Sequence, residues 1–96
     1  MKPYLVFIYA DGCPACEMAK PELMKFRQRH PHVTVQSIDL VAQPWPEGGW
    51  SPQATPTYLV RFADRQPVGH EGMLDVNQLV NFMRIGADKL GMRSPV

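Results

Sequence analysis

From Tyr4 to Ala10 the chain reads Tyr-Leu-Val-Phe-Ile-Tyr-Ala, with no charged residue to interrupt it. A continuous apolar, aromatic and β-branched run predicts a central strand covered on both faces, which needs packing elements above and below it. From Pro14 to about Arg29 the period becomes helical. Ala15, Ala19, Leu23 and Phe26 share one stripe with Cys16 at its edge, while Glu22, Lys25 and Gln28 fall outside it. Val33 to Leu40 returns to a strand pattern, and the intervening helix makes its pairing with the first strand parallel.

Residues 41–55 contain Pro44, Pro46, Pro52, Gly48 and Gly49, a composition that rules out a long helix and predicts an irregular loop. Thr57 to Ala63 predicts a third strand, Asp64 to Pro67 a turn, and Val68 to Glu71 a short antiparallel fourth strand. Asp75 with Gln78 three residues later matches a capping box. It opens a helix whose apolar stripe is Val76, Leu79, Val80, Met83, Ala87 and Leu90, closed by Gly91. The tail to Val96 is expected to be loose. The order β-α-β-loop-β-β-α defines an α/β domain, a four-stranded mixed sheet with a helix on each side. Residues 1–96 are expected to form that one domain.

Composition adds mainly exclusions. With 45% hydrophobic and 20% charged residues the chain has ordinary globular character. A formal net charge of +1 offers no basic footprint for nucleic acid. The apolar run at Tyr4 is far shorter than the roughly 20 residues a membrane span needs, and it leads into Asp11-Gly12-Cys13 rather than a small-residue cleavage site. No nucleic-acid or membrane partner is therefore expected, and the expected compartment is the cytoplasm. The two cysteines lie in one unit, Cys13-Pro14-Ala15-Cys16, which does not read as a secreted disulfide framework linking distant segments.

That unit carries the candidate chemistry, because it falls where a buried strand ends and a helix begins. Unpaired backbone N–H groups and the positive helix end favour a thiolate there, so the Cys13 thiol should lie below its ordinary pKa and act as nucleophile. One helical turn brings Cys16 beneath it, close enough to resolve a mixed disulfide. Pro14 fits the first helical turn because its missing N–H has no partner to lose there. A zinc site fits poorly, since His30 and His32 are one residue apart where a finger needs three to five. The other alternative is a structural pair of buried thiols, against which the helix-start position argues.

The segment Cys13-Pro14-Ala15-Cys16-Glu17-Met18-Ala19-Lys20-Pro21 resembles the active-site helix of the thioredoxin family. Thr55-Pro56-Thr57, followed by Tyr58 to Phe62, resembles that family's cis-proline and the strand after it. Gly72 and the helix containing Gln78 and Leu79 resemble the glycine and final helix that close the domain. The resemblance runs from Tyr4 to about Leu90 and implies a minimal thioredoxin-like fold and a thiol-disulfide oxidoreductase. Cys13 and Cys16 would be catalytic and Thr55 and Pro56 would bind substrate. No cofactor is implied beyond the redox-active disulfide, and a monomer is expected. The implied partners are disulfide-containing proteins, with a thioredoxin reductase or glutathione as reductant.

Several positions depart from the family pattern. Gly12 replaces the usual tryptophan before the first cysteine, and Pro14-Ala15 replaces Gly-Pro. With Tyr4 opening the first strand, the family's leading strand and helix have no expected counterpart, so the domain is glutaredoxin-sized. Gly72 and Asp75 echo half of the glutaredoxin glutathione element, which keeps a glutathione-linked reductase as an alternative. A non-enzymatic adaptor binding through the loop from Val41 to Thr55 is another. Phe7 occupies the place of the family's buried acid and Val35 that of its lysine neighbour. Tyr9 and Asp11 border the cysteines as candidates for tuning access. Trp45 and Trp50 either contact substrate or cap the sheet edge, and His30, His32 and His70 are read as solvated or packing residues.

Overall fold

In a computed structural model, residues 2–41 and 54–96 are described. The elements are β1 (Tyr4–Tyr9), α1 (Pro14–Arg29), β2 (Val35–Asp39), β3 (Thr57–Arg61), β4 (Val68–Glu71) and α2 (Val76–Lys89). They build one four-stranded sheet in the order β2-β1-β3-β4. β1 is central, parallel to β2 with Phe7 opposite Ser37, and antiparallel to β3 with Phe7 opposite Tyr58. Burial of its side chains on both faces of the sheet explains why the strand is apolar throughout.

Leu5, Phe7, Tyr58 and Val60 point to one face of the sheet, where they form a core with Ala19, Leu23 and Phe26 of α1 and with Leu79 and Met83 of α2. Both described helices therefore lie on the same face, and the expectation of a helix on each side is corrected. Alternation along β1 and β3 sends Val6, Ile8 and Leu59 to the opposite face, where they cluster with Ile38. The sequence requires that face to be buried, but it does not say by what. Trp45 and Trp50 lie outside the described residues.

Local chemistry accounts for the smaller differences. Cys13 caps α1, and that phase buries Cys16, Ala19, Leu23 and Phe26, leaving Ala15 half-exposed rather than on the stripe. β2 is shorter than Val33–Leu40 because the Val33 N–H is taken by the His30 carbonyl (3.0 Å) in the preceding turn. β3 stops at Arg61, since Ala63 adopts φ +51° in the turn toward β4. In α2 the capping box is formed on both sides, Gln78 N–H to the Asp75 carboxylate and Asp75 N–H to the Gln78 side chain. Gly86 is buried where the stripe placed no residue, because a Cβ there would stand 2.5 Å from Val60 Cγ2. This is how closely α2 approaches β3. The tail is packed, with Pro95 buried, Val96 against the core, and the His32 ring bonded to the Pro95 carbonyl.

Glu22 joins the two helices. One carboxylate oxygen accepts the Val76 N–H at the start of α2 (3.1 Å), and the other accepts from Lys25 (2.8 Å). The Lys25 hydrogen bond first, and the Val76 N–H second, hold the Glu22 carboxyl below its ordinary value of 4.5. A lowered pKa means that the unfolded chain binds the proton more readily, so this contribution is full above pH 4.5 and fades as pH falls through the folded value. Glu22→Gln should lower the melting temperature at pH 7, and the gap should close by pH 3. Thermal unfolding across that range checks it, and a gap that persists at pH 3 would assign the effect to packing alone.

Candidate active site

The carboxyl end of β1 turns through Ala10, Asp11 and Gly12 into α1. Gly12 has φ +74°, a conformation that glycine adopts without the Cβ penalty, and with Asp11 it is exposed. Cys13 then takes the N-cap position in extended conformation, with Pro14 at the first helical residue. Its Sγ accepts the Cys16 N–H at 3.1 Å, the role an N-cap oxygen usually plays. The Cys13 carbonyl accepts the Glu17 N–H at 3.1 Å, closing the first turn.

Cys13 and Cys16 are joined as a disulfide with a Cα–Cα distance of 5.2 Å. Cys13 is half-buried and Cys16 fully buried, so only the first sulfur can be approached from outside. Ala15 is half-exposed and Pro14 exposed, flanking that approach.

Across from the sulfur, Thr55 and Pro56 lead into β3 through a cis peptide bond. The Thr55 carbonyl oxygen lies 3.4 Å from Cys13 Sγ, within reach of an S–H in the dithiol state. Three bonds hold this segment. Thr57 Oγ1 donates to the Ala54 carbonyl (2.6 Å), Gly72 N–H to the Pro56 carbonyl (2.8 Å), and Leu74 N–H to the Tyr58 hydroxyl (3.2 Å). Burial pushes the Tyr58 phenol above its ordinary pKa, with the Leu74 N–H opposing the shift, so the hydroxyl stays protonated at neutral pH. The start of β3, the end of β4 and the entry to α2 are thereby fastened beside the cysteines. Sequence reading picked out Gly72 but not Tyr58, whose phenol shows nothing in the chain to mark it as an acceptor.

The underside of the site is apolar. Phe7 is 2% exposed, with ring centroids 5.8 Å from Tyr9 and 5.4 Å from Tyr58. Ser37, rather than Val35, is directly opposite it, with Val35 two residues away on the same face. Among the described residues no charged side chain is fully buried, so none of their carboxylates lies buried under the disulfide. Nor do they include a cluster of three potential metal ligands.

A domain with this sheet, a helix-capping cysteine pair and a proline segment facing it belongs to the thioredoxin-fold thiol-disulfide oxidoreductases. A family model described as Thioredoxin matches residues 1–85, and the chain is a member of that family. Thioredoxins of Chlamydia trachomatis serovar D and Chlamydia muridarum are 30% and 31% identical to it over 80 residues, spanning 82% of this chain and 78% of each relative. Among solved structures, a malarial protein superposes with a TM-score of 0.77 at 16% identity, covering 90% of this chain and 98% of its own. Chloroplastic thioredoxin z superposes at 0.70 with 21% identity, covering 94% and 80%.

The aromatic underside gives a test. Phe7→Asp removes ring packing and buries a carboxylate without a partner, and should cost roughly 3–5 kcal/mol in denaturant unfolding without accelerating disulfide reduction. A variant that is both faster and equally stable would show a more polar site than the one described.

Proposed function

We propose that the chain reduces disulfides in protein substrates by dithiol exchange, with Cys13 attacking and Cys16 resolving. The observation that supports this most is the asymmetry of the pair: the Cys13 sulfur is accessible and accepts a helix N-terminal N–H, whereas Cys16 is fully buried. In the dithiol form the Cys16 N–H and the helix end favour the Cys13 thiolate, which attacks one sulfur of the substrate and releases the other as a thiolate. Cys16 then loses its proton and attacks the Cys13 sulfur of the mixed disulfide. The second substrate thiol leaves and the Cys13–Cys16 bond forms, two electrons having passed to the substrate.

Thr55 and Pro56 flank the sulfur and would offer backbone groups to an extended substrate segment, while Pro14, Ala15 and Asp11 would shape its approach. With no carboxylate beneath the pair among the described residues, the Cys16 proton would go to water or to an exposed acid such as Glu17 or Asp11. No cofactor is needed beyond the cysteine pair. A flavoprotein thioredoxin reductase would restore the dithiol, with glutathione as the competing reductant, and the reducing cytoplasm is the compartment that suits this direction.

Cys16→Ser should trap mixed disulfides with substrate proteins, and Cys13→Ser should abolish reaction. Insulin reduction and gel analysis of trapped adducts check both. Equal alkylation rates for the two thiols of the reduced protein would contradict the assignment. Recharging by NADPH and thioredoxin reductase, compared with glutathione and its reductase, separates the two reductants.

A further inference from the structure

Beside α1, on the β2 side of the sheet and away from Thr55 and Pro56, is a cleft of about 260 Å³ that the thiol exchange does not use. Its strand side is Phe7, Tyr9 and Ser37, and its helix side is Lys20, Leu23, Met24 and Arg27. Leu23 and Phe7 are buried and make an apolar floor, while Met24 is 57% exposed at the rim. Lys20 and Arg27 are seven residues apart on one helix flank, about 10 Å along the axis, with the apolar pair between them.

The two cations are not equivalent. Lys20 donates to Glu17 (3.0 Å) and stands 5.1 Å over the Tyr9 ring, so its charge is already answered. The Arg27 guanidinium makes no ion pair or hydrogen bond among the described residues. Asp39, two residues past Ser37 on the same strand face, gives a carboxylate oxygen to its own Val41 N–H (3.0 Å) and does not line the cleft. An apolar slot with an unanswered guanidinium at one end complements a body that is apolar along its length and carries one anionic group. A volume just below the roughly 300 Å³ at which drug-sized ligand sites begin restricts that body to about two fused rings.

We propose that this cleft binds a small amphiphilic anion, a carboxylate on a flat apolar body, with Arg27 taking the carboxylate and Phe7, Leu23 and Met24 the rings. Guanidinium and carboxylate match as a bidentate pair, which fixes the direction in which the ligand lies. Ser37 stands on the strand side opposite the helix residues and leaves room for the rings, because its side chain is short. The binding needs no free thiol and is available to the oxidised protein.

The test is a titration of the oxidised, isotope-labelled chain with 2-naphthoate, followed by amide chemical shifts. Saturable changes at Phe7, Tyr9, Leu23, Arg27 and Ser37 are expected, with a dissociation constant on the order of 1 mM. The neutral 2-naphthalenemethanol and the exposed-site variant Arg27→Gln should each weaken binding about fivefold to tenfold. Ser37→Tyr, which fills the cleft from the strand side, should abolish it. The proposal is overturned by the absence of saturable shifts, by shifts centred elsewhere, or by equal affinity for the neutral analogue or in Arg27→Gln. Because the cysteines are oxidised throughout, failure here leaves the dithiol mechanism untouched.

Discussion

The hydrogen bond from the Cys16 N–H to the Cys13 sulfur is the constraint around which the rest of the structure is arranged. It exists because β1 ends in a glycine turn that delivers Cys13 to the N-cap of α1, where a side-chain acceptor meets the N–H of the third helical residue. Here that N–H belongs to the second cysteine. One turn of helix therefore performs two tasks, offering a partial positive charge to the first sulfur and holding the second within bonding distance. The central position of β1 keeps the junction fixed, since the strand is paired on both edges and its side chains are buried on both faces.

Beneath that bond the protein is built from rings rather than charges. Phe7 stacks on Tyr9 and leans on Tyr58, and Tyr58 in turn meets Phe82 and holds the Leu74 N–H. A carboxylate at Phe7 would be surrounded by apolar side chains with no buried cation among the described residues to pair with it. The arrangement thus favours rigidity under the disulfide, and on the proposed reading it leaves the second proton transfer to groups at the surface. Fastening the Pro56 and Gly72 segments to one another serves the same end, by fixing the carbonyl that faces Cys13.

Much of this was legible in the chain because the signals were local. The unbroken run Tyr4 to Ala10 marked a central strand covered on both faces, Asp75 with Gln78 marked a helix start, and Cys13 before Pro14 marked the junction of strand and helix. What was not legible depends on meetings between distant segments. Which face each helix covers is set by crossover geometry, and neither stripe records it. Glu22 merely fell outside the apolar stripe of α1, and its bond to Val76 54 positions away exists only once the helices pack. Gly86 broke no pattern, and only the approach of Val60 explains why no side chain is there. The loop from Val41 to Thr55, with Trp45 and Trp50, falls mostly outside the described residues.

The central claim is that a helix N-terminus stabilises the Cys13 sulfur as a thiolate while Cys16 is buried with no buried charged side chain beneath it among the described residues. The most direct measurement is the pH dependence of the Cβ chemical shifts of both cysteines in the fully reduced protein. Cys13 should titrate below the ordinary thiol value of about 8.5 and Cys16 above it. Each should show a single transition, with no second inflection from a buried carboxylate. Two thiols titrating together at the ordinary value, or a Cys16 curve bent by a group ionising near neutral pH, would contradict the account.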